Sequence, residues 1–179
     1  MTTFTRRAGP TRLAGLTALA LGAFALAGCL PERGVTPPFY QDLARDGAAV
    51  DTASAVQMIS SYRQSNGRGV LTLDPVLMRA AQRQADAMAA ANDVRASLAR
   101  GNTLAARLTE AGEPKTYAVE NVSAGYRTLA EAFSGWRDSP KHNAVMLDDK
   151  ATRMGIATAH APGSKYRVFW SLVLAAPAP

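Results

Sequence analysis

The sequence predicts an α+β domain in which helices are layered on a small central sheet. Three segments between residues 52 and 111 place apolar residues at helical spacing. A short strand-like run follows, and after two more helical segments the chain ends in two apolar strand-like runs joined by a Pro-Gly loop. Helices that each carry one apolar stripe, interleaved with a few strands, bury those stripes against a sheet in a layered α/β/α arrangement.

The elements follow in chain order. Over residues 52–66, Val56, Ile59 and Tyr62-Arg63 recur at helical spacing; Asp51 or Thr52 supplies the cap, and Gly67 and Gly69 follow the end. Asp74-Pro75 joins a capping residue to a proline at the first helical position. The helix that it opens runs to about Ala91 on a stripe of Val76, Leu77, Ala80, Ala81, Gln84, Ala87, Met88 and Ala91, whose alanines allow another layer to approach closely. A shorter helix spans Thr103 to Ala111 and ends at Gly112 and Pro114. Val119 to Ser123 reads as a strand. Thr128 and Glu131 have capping-box spacing at the start of a helix bearing Leu129, Phe133 and Trp136, which stops before Ser139-Pro140. A further helical turn runs to about Leu147. Met154–His160 and Tyr166–Ala175 then form a hairpin around residues 161–165. Trp136 and Trp170 are expected in the core.

Upstream, Arg6, Arg7 and Arg12 precede a short run rich in Leu, Ala and Gly that ends in Leu26-Ala27-Gly28-Cys29. A basic segment, an apolar core and small residues form a secretory signal peptide. The run is short of the about 20 strongly apolar residues of a membrane span. Leu-Ala-Gly-Cys resembles the lipobox of bacterial lipoproteins. The resemblance implies that Cys29 is acylated and that residues 1–28 are removed. Leu30 to Pro38, with three prolines and a glycine, reads as an extended tether, and residues 39–51 as either more tether or a loosely packed first turn, so that residues 29–50 are expected to tether a domain spanning 51–176. Cys29 is the only cysteine, so no intramolecular disulfide competes for it. Leu30 stands where an acidic residue would signal inner-membrane retention. The expected location is therefore the outer membrane of the cell envelope, facing the periplasm.

Loss of residues 1–28 leaves 151 residues and lowers the formal net charge from +6 to +3. An excess this small does not indicate nucleic acid as a partner. It suits anionic lipid or a cell-wall polymer slightly better.

Several segments resemble one family. Val119-Glu120-Asn121-Val122-Ser123-Ala124-Gly125-Tyr126 is similar to the GENIAxGY strand of the CAP superfamily (cysteine-rich secretory proteins, antigen 5 and pathogenesis-related proteins). The run from Glu131 to Leu147, with Trp136 and Ser139-Pro140-Lys141-His142, resembles its bacterial E…W..SPGHRxNIL segment. Met154-Gly155-Ile156-Ala157 and Tyr166–Trp170 look like its closing strands, and Tyr62-Arg63 with Gly67, Leu73 and Asp74-Pro75 like its entry. The resemblance covers about residues 52–175 and implies a three-layer α-β-α sandwich.

It also implies a cleft holding two His and two Glu, where paired imidazoles bind a divalent metal. Carried over, the acids are Glu120 and Glu131 and one histidine is His142. The other histidine position, counted back from Arg107-Leu108, falls on Leu98, and residues 86–110 contain no histidine. A lone imidazole with two carboxylates is a poorer zinc site, so no cofactor is expected beyond weak zinc binding through His142, Glu120 and Glu131. On this alignment, Leu98→His would rebuild the pair. His160 sits beside the Pro-Gly loop and is expected to be exposed.

Each residue also has a purely structural reading. Glu120, in an apolar strand, is either a cleft acid or the partner of backbone donors or a nearby cation. Glu131 is either a cleft acid or a capping-box residue, and His142 either lines the cleft or caps its helix. Asn121 is expected to satisfy loop backbone groups. Ser97 and Ser139 lack a Gly-x-Ser-x-Gly context, which argues against a serine hydrolase. The chain therefore reads as a membrane-tethered module for an apolar or amphipathic ligand, a cell-wall fragment or a protein. The alternative is an envelope hydrolase that uses Glu120 and His142 as acid and base.

Overall fold

A computed structural model describes residues 1–3 and 36–177. The expected leader, the lipidated Cys29 and the first part of the tether lie outside the described residues.

Nine regular elements make up the domain: α1 (Thr52–Ser65), β1 (Thr72–Leu73), α2 (Pro75–Ala91), α3 (Leu104–Glu110), β2 (Ala118–Ala124), α4 (Leu129–Asp138), α5 (Pro140–Met146), β3 (Arg153–Ala161) and β4 (Arg167–Ala175). Two 3-10 turns, Pro38–Tyr40 and Val94–Leu98, complete it. The helix starts follow from their caps. The Asp51 carboxylate accepts from Ser54 N, Asp74 from Val76 N and Leu77 N, and Thr103 from Ala106 N. Thr128 and Glu131 close a full capping box.

The strand order is β1-β3-β4-β2, with β1 parallel to β3 and the other pairs antiparallel. Alternation along β3 and β4 divides the core in two. Met154, Ile156, Trp170, Leu172 and Leu174 face α1, α4 and α5, whereas Ala157, Ala159, Val173 and Ala175 face α2 and α3. This is the expected three-layer α-β-α sandwich. On the second face α2 lies almost on the strand backbone: a Cβ at Gly155 would sit 2.2 Å from the Leu77 carbonyl carbon. The alanines at 80, 81 and 85 make that approach feasible.

The packed domain reaches upstream of Asp51, into the stretch read from sequence as tether. Leu43, Ala44 and Val50 are buried in the first core, and Phe39 packs against it. Leu43 N donates to Arg127 O at 2.7 Å, and Asp42 pairs with the Arg127 guanidinium. The apolar residues of this segment follow neither a helical nor a strand period, so periodicity alone does not reveal their burial.

Two arginines tie the layers together. Arg63, fully buried, donates to the carbonyls of Gly69, Met146, Asp148 and Ala151 at 2.8–2.9 Å, which joins the end of α1 to the segment after α5. Arg153, at the start of β3, bridges Asp74 and Glu113, with N–O distances of 2.8 Å to each. Burial alone would raise the Asp74 carboxyl, but bonds from Leu77 N, Arg153 and Val76 N hold it below the ordinary carboxylate range. The Arg153 bond likewise holds Glu113 down, against burial. A carboxyl whose folded pKa lies below its unfolded value stabilises fully above the unfolded value and loses that contribution as pH falls through the folded one. Stability is therefore expected to drop on acidification, and Glu113→Gln to shrink the difference between urea midpoints at about pH 7 and about pH 3.5.

Candidate functional site

Strand β2 carries Glu120 and Asn121, and its pleat sends them to opposite faces. Glu120 lies on the α2–α3 side. Its carboxylate accepts from Arg107 Nη2 at 2.7 Å and from the Ser171 hydroxyl at 3.0 Å. The Arg107 side chain is fully buried and also donates to Ala80 O and Asn102 O. Asn102 in turn donates to the Gln84 amide oxygen at 2.7 Å. Glu120 is thus the counter-charge of a buried guanidinium within a polar network, and its oxygens are already spoken for.

Asn121 faces the other side. Its Nδ2 donates to the His142 carbonyl at 2.9 Å, which orients the amide. The Asn121 Oδ1 must then accept from His142 Nδ1, at 2.8 Å. This pairing places a proton on Nδ1, so that in the neutral ring Nε2 is an acceptor. Burial, with help from the Lys141 charge, pushes the His142 pKa below its ordinary value and favours the same neutral form.

Glu131 is exposed at the start of α4. Its Oε2 accepts from Arg127 N at 2.6 Å and Thr128 N at 3.2 Å, so the carboxylate does the work of a capping-box residue. Leu98 ends the Val94–Leu98 turn, which packs against α2 and β2, but its side chain is 77 % exposed. His160 differs from the sequence expectation. Its side chain is only 10 % exposed and bonds Asp46 through Nδ1 at 2.9 Å, because the segment before α1 folds over that end of the sheet. Surface clefts of about 420, 270 and 150 Å3 lie elsewhere and are lined by other residues than Glu120, Glu131 and His142.

The carried-over residues therefore do not assemble into one cluster. The sheet separates the Glu120 carboxylate from the His142 ring, and among the described residues no three His, Cys, Asp or Glu side chains converge as a metal ion requires. The donor set does not fit the divalent metal that the resemblance implied. Leu98→His is accordingly expected to leave zinc affinity unchanged by isothermal titration, since it supplies an imidazole without freeing a carboxylate.

Sequence reasoning identified Glu120 and His142 but missed their partners. A signal existed for Arg107, which sits between Leu104 and Leu108 on one helical stripe. An arginine in an apolar stripe and a glutamate in an apolar strand each require an opposite charge.

The family model of the cysteine-rich secretory protein (CAP) family matches residues 56–174. Among curated proteins no relative matches the sequence. Three similar solved structures are bacterial. An extracellular protein containing an SCP domain from Bacillus anthracis is 19 % identical, with a TM-score of 0.60 over 69 % of this chain and 39 % of that one. An outer surface protein from Borrelia burgdorferi is 16 % identical, with a TM-score of 0.60 over 73 % of this chain and 98 % of that one. A cysteine-rich secretory protein from Staphylococcus aureus is 18 % identical, with a TM-score of 0.52 over 69 % of this chain and 37 % of that one. This chain thus spans about two fifths of the Bacillus and Staphylococcus proteins, and at these identities the likeness is one of fold. With the family model matching well over half of its length, the chain belongs to the cysteine-rich secretory protein (CAP) family.

Proposed function

We propose that this protein is a lipid-anchored CAP-domain protein of the bacterial cell envelope that acts as a binding or interaction module. Its ligand would be an apolar or amphipathic molecule, a cell-wall fragment or a protein. The observation that carries this reading is the separate engagement of Glu120 and His142. General acid–base chemistry needs both groups within reach of one substrate bond. Here one is neutralised by Arg107 beneath the sheet, while the other is held by Asn121 above it. The neutral His142, with Nε2 as an acceptor, favours a hydrolase as the second reading, but the Glu120 carboxylate that would act with it is engaged by Arg107.

The envelope location is supported by the lipobox-like Leu26–Cys29 and by relatives named as extracellular or outer surface proteins. No helix among the described residues is long and apolar enough to cross a membrane. Cys29→Ser is expected to shift the protein out of the membrane fraction or leave it unprocessed. Mass spectrometry of the native protein should find an acylated N-terminal Cys29, and a mature N-terminus elsewhere would defeat the anchor. For the module itself, full-length protein is incubated with purified peptidoglycan. The expected result is no release of soluble fragments; release that disappears in His142→Ala would establish the hydrolase instead.

A further inference from the structure

Between its caps helix α1 presents no charge to solvent, although the exposed Asp51 carboxylate caps its start. Its single charged residue is Arg63, whose side chain is fully buried, and its exposed residues are Ala53, Gln57, Ser61, Gln64 and Ser65. Every other α-helix of the domain exposes charge: Arg79 on α2, Glu110 on α3, Glu131 on α4 and Lys141 on α5. A surface helix turns charged or polar groups to water, and on α1 these are amides and hydroxyls alone.

The face adjoins the point where the described chain begins. Phe39 and Tyr40 pack edge to face with ring centroids 4.7 Å apart, and Tyr40 is 57 % exposed. Phe39 joins Ser54, Gln57, Met58 and Ser61 of α1 in lining a groove of about 270 Å3. The Tyr40 ring with its polar tip, beside hydroxyl and amide groups, suits the boundary between lipid headgroups and water.

Chain length decides which surface this patch meets. Thr36 lies seven residue steps after Cys29. Fully extended they reach at most about 25 Å. A domain of this size is roughly 35 Å across, so the face bearing the chain entry stays next to the anchoring bilayer.

We infer that the α1 face, with Phe39 and Tyr40, docks on the headgroup surface of the membrane that holds the lipid; this rests on the lipid anchor proposed above. The opposite layer, α2 and α3, then faces away from the bilayer and is free for a ligand. Because Phe39, Tyr40 and the exposed residues of α1 carry no positive charge, docking does not depend on anionic lipid.

The single native cysteine makes the test direct. Full-length lipidated protein carrying Gln57→Cys, or Thr109→Cys on α3, is labelled with a fluorophore in phosphatidylethanolamine–phosphatidylglycerol vesicles containing a headgroup nitroxide quencher. Quenching is expected to be several-fold stronger at position 57 than at 109, and to persist when phosphatidylglycerol is replaced by phosphatidylcholine. Equal quenching, stronger quenching at 109, or loss of the difference without anionic lipid overturns the docked face. Protein that fails to float with vesicles and takes label at Cys29 instead overturns the anchor and, with it, the docking.

Discussion

Glu120→Ala is expected to destabilise the domain by about 3–5 kcal/mol, because it leaves the buried Arg107 guanidinium without its counter-charge. Arg107 would keep its bonds to Ala80 O and Asn102 O, but carbonyls do not neutralise a full charge. The effect separates the two readings of Glu120. A cleft acid can be removed with little loss of fold, whereas the partner of a buried arginine cannot. Removing both charges with groups of similar volume, Arg107→Met with Glu120→Leu, should recover much of the loss, since an apolar pair in the same space is often as stable as the ion pair. Urea denaturation of Glu120→Ala and of the double variant measures this. A Glu120→Ala midpoint equal to that of the parent would return Glu120 to the list of candidate functional acids.

Trp136→Ala carries the other large effect. Trp136 is fully buried, meets Trp170 edge to face at 6.1 Å, and donates from its indole nitrogen to the Ser123 hydroxyl at 3.1 Å. Truncating a buried tryptophan costs about 3–5 kcal/mol. The whole domain has on the order of 5–15 kcal/mol to lose. A fall in melting temperature on the order of 10–20 °C is therefore expected, or loss of the cooperative transition. The loss should exceed that of Trp136→Phe, which keeps most of the packing and gives up the bond to Ser123. A midpoint within a few degrees of the parent would place Trp136 outside the core that joins α4 to the sheet.

The helices were legible because their ends are written locally. Asp51, Asp74-Pro75 and Thr128 with Glu131 are capping signals, and each marks an observed helix start. The long strands were legible from their apolar runs. What escaped was structure set by distant partners. Strand β1 is two residues long and exists through its parallel pairing with Arg153 and Met154. The segment from Phe39 to Val50 has no period to read, yet it buries Leu43 and Val50. The site was half legible for the same reason. Glu120 stood out as a carboxylate in an apolar strand and His142 through the family resemblance, but their partners come from other elements, Arg107 from α3 and Asn121 from β2. Strand alternation already said that adjacent residues Glu120 and Asn121 face apart, so only one of them can share a layer with α5.

The last strand of the chain is also an inner strand of the sheet. Strand β2 has β4 as its sole strand neighbour, and β3 has its antiparallel neighbour in β4 as well. Until residues 167–175 are available, Ala118–Ala124 has nothing to pair with and Glu120 lacks Ser171. Contacts between such distant parts of a chain form late, because the intervening loop must close first. If the chain is exported N-terminus first, as the anchor proposed above requires, the β2–β4 ladder and the Glu120–Ser171 bond form only after residues 167–175 have followed.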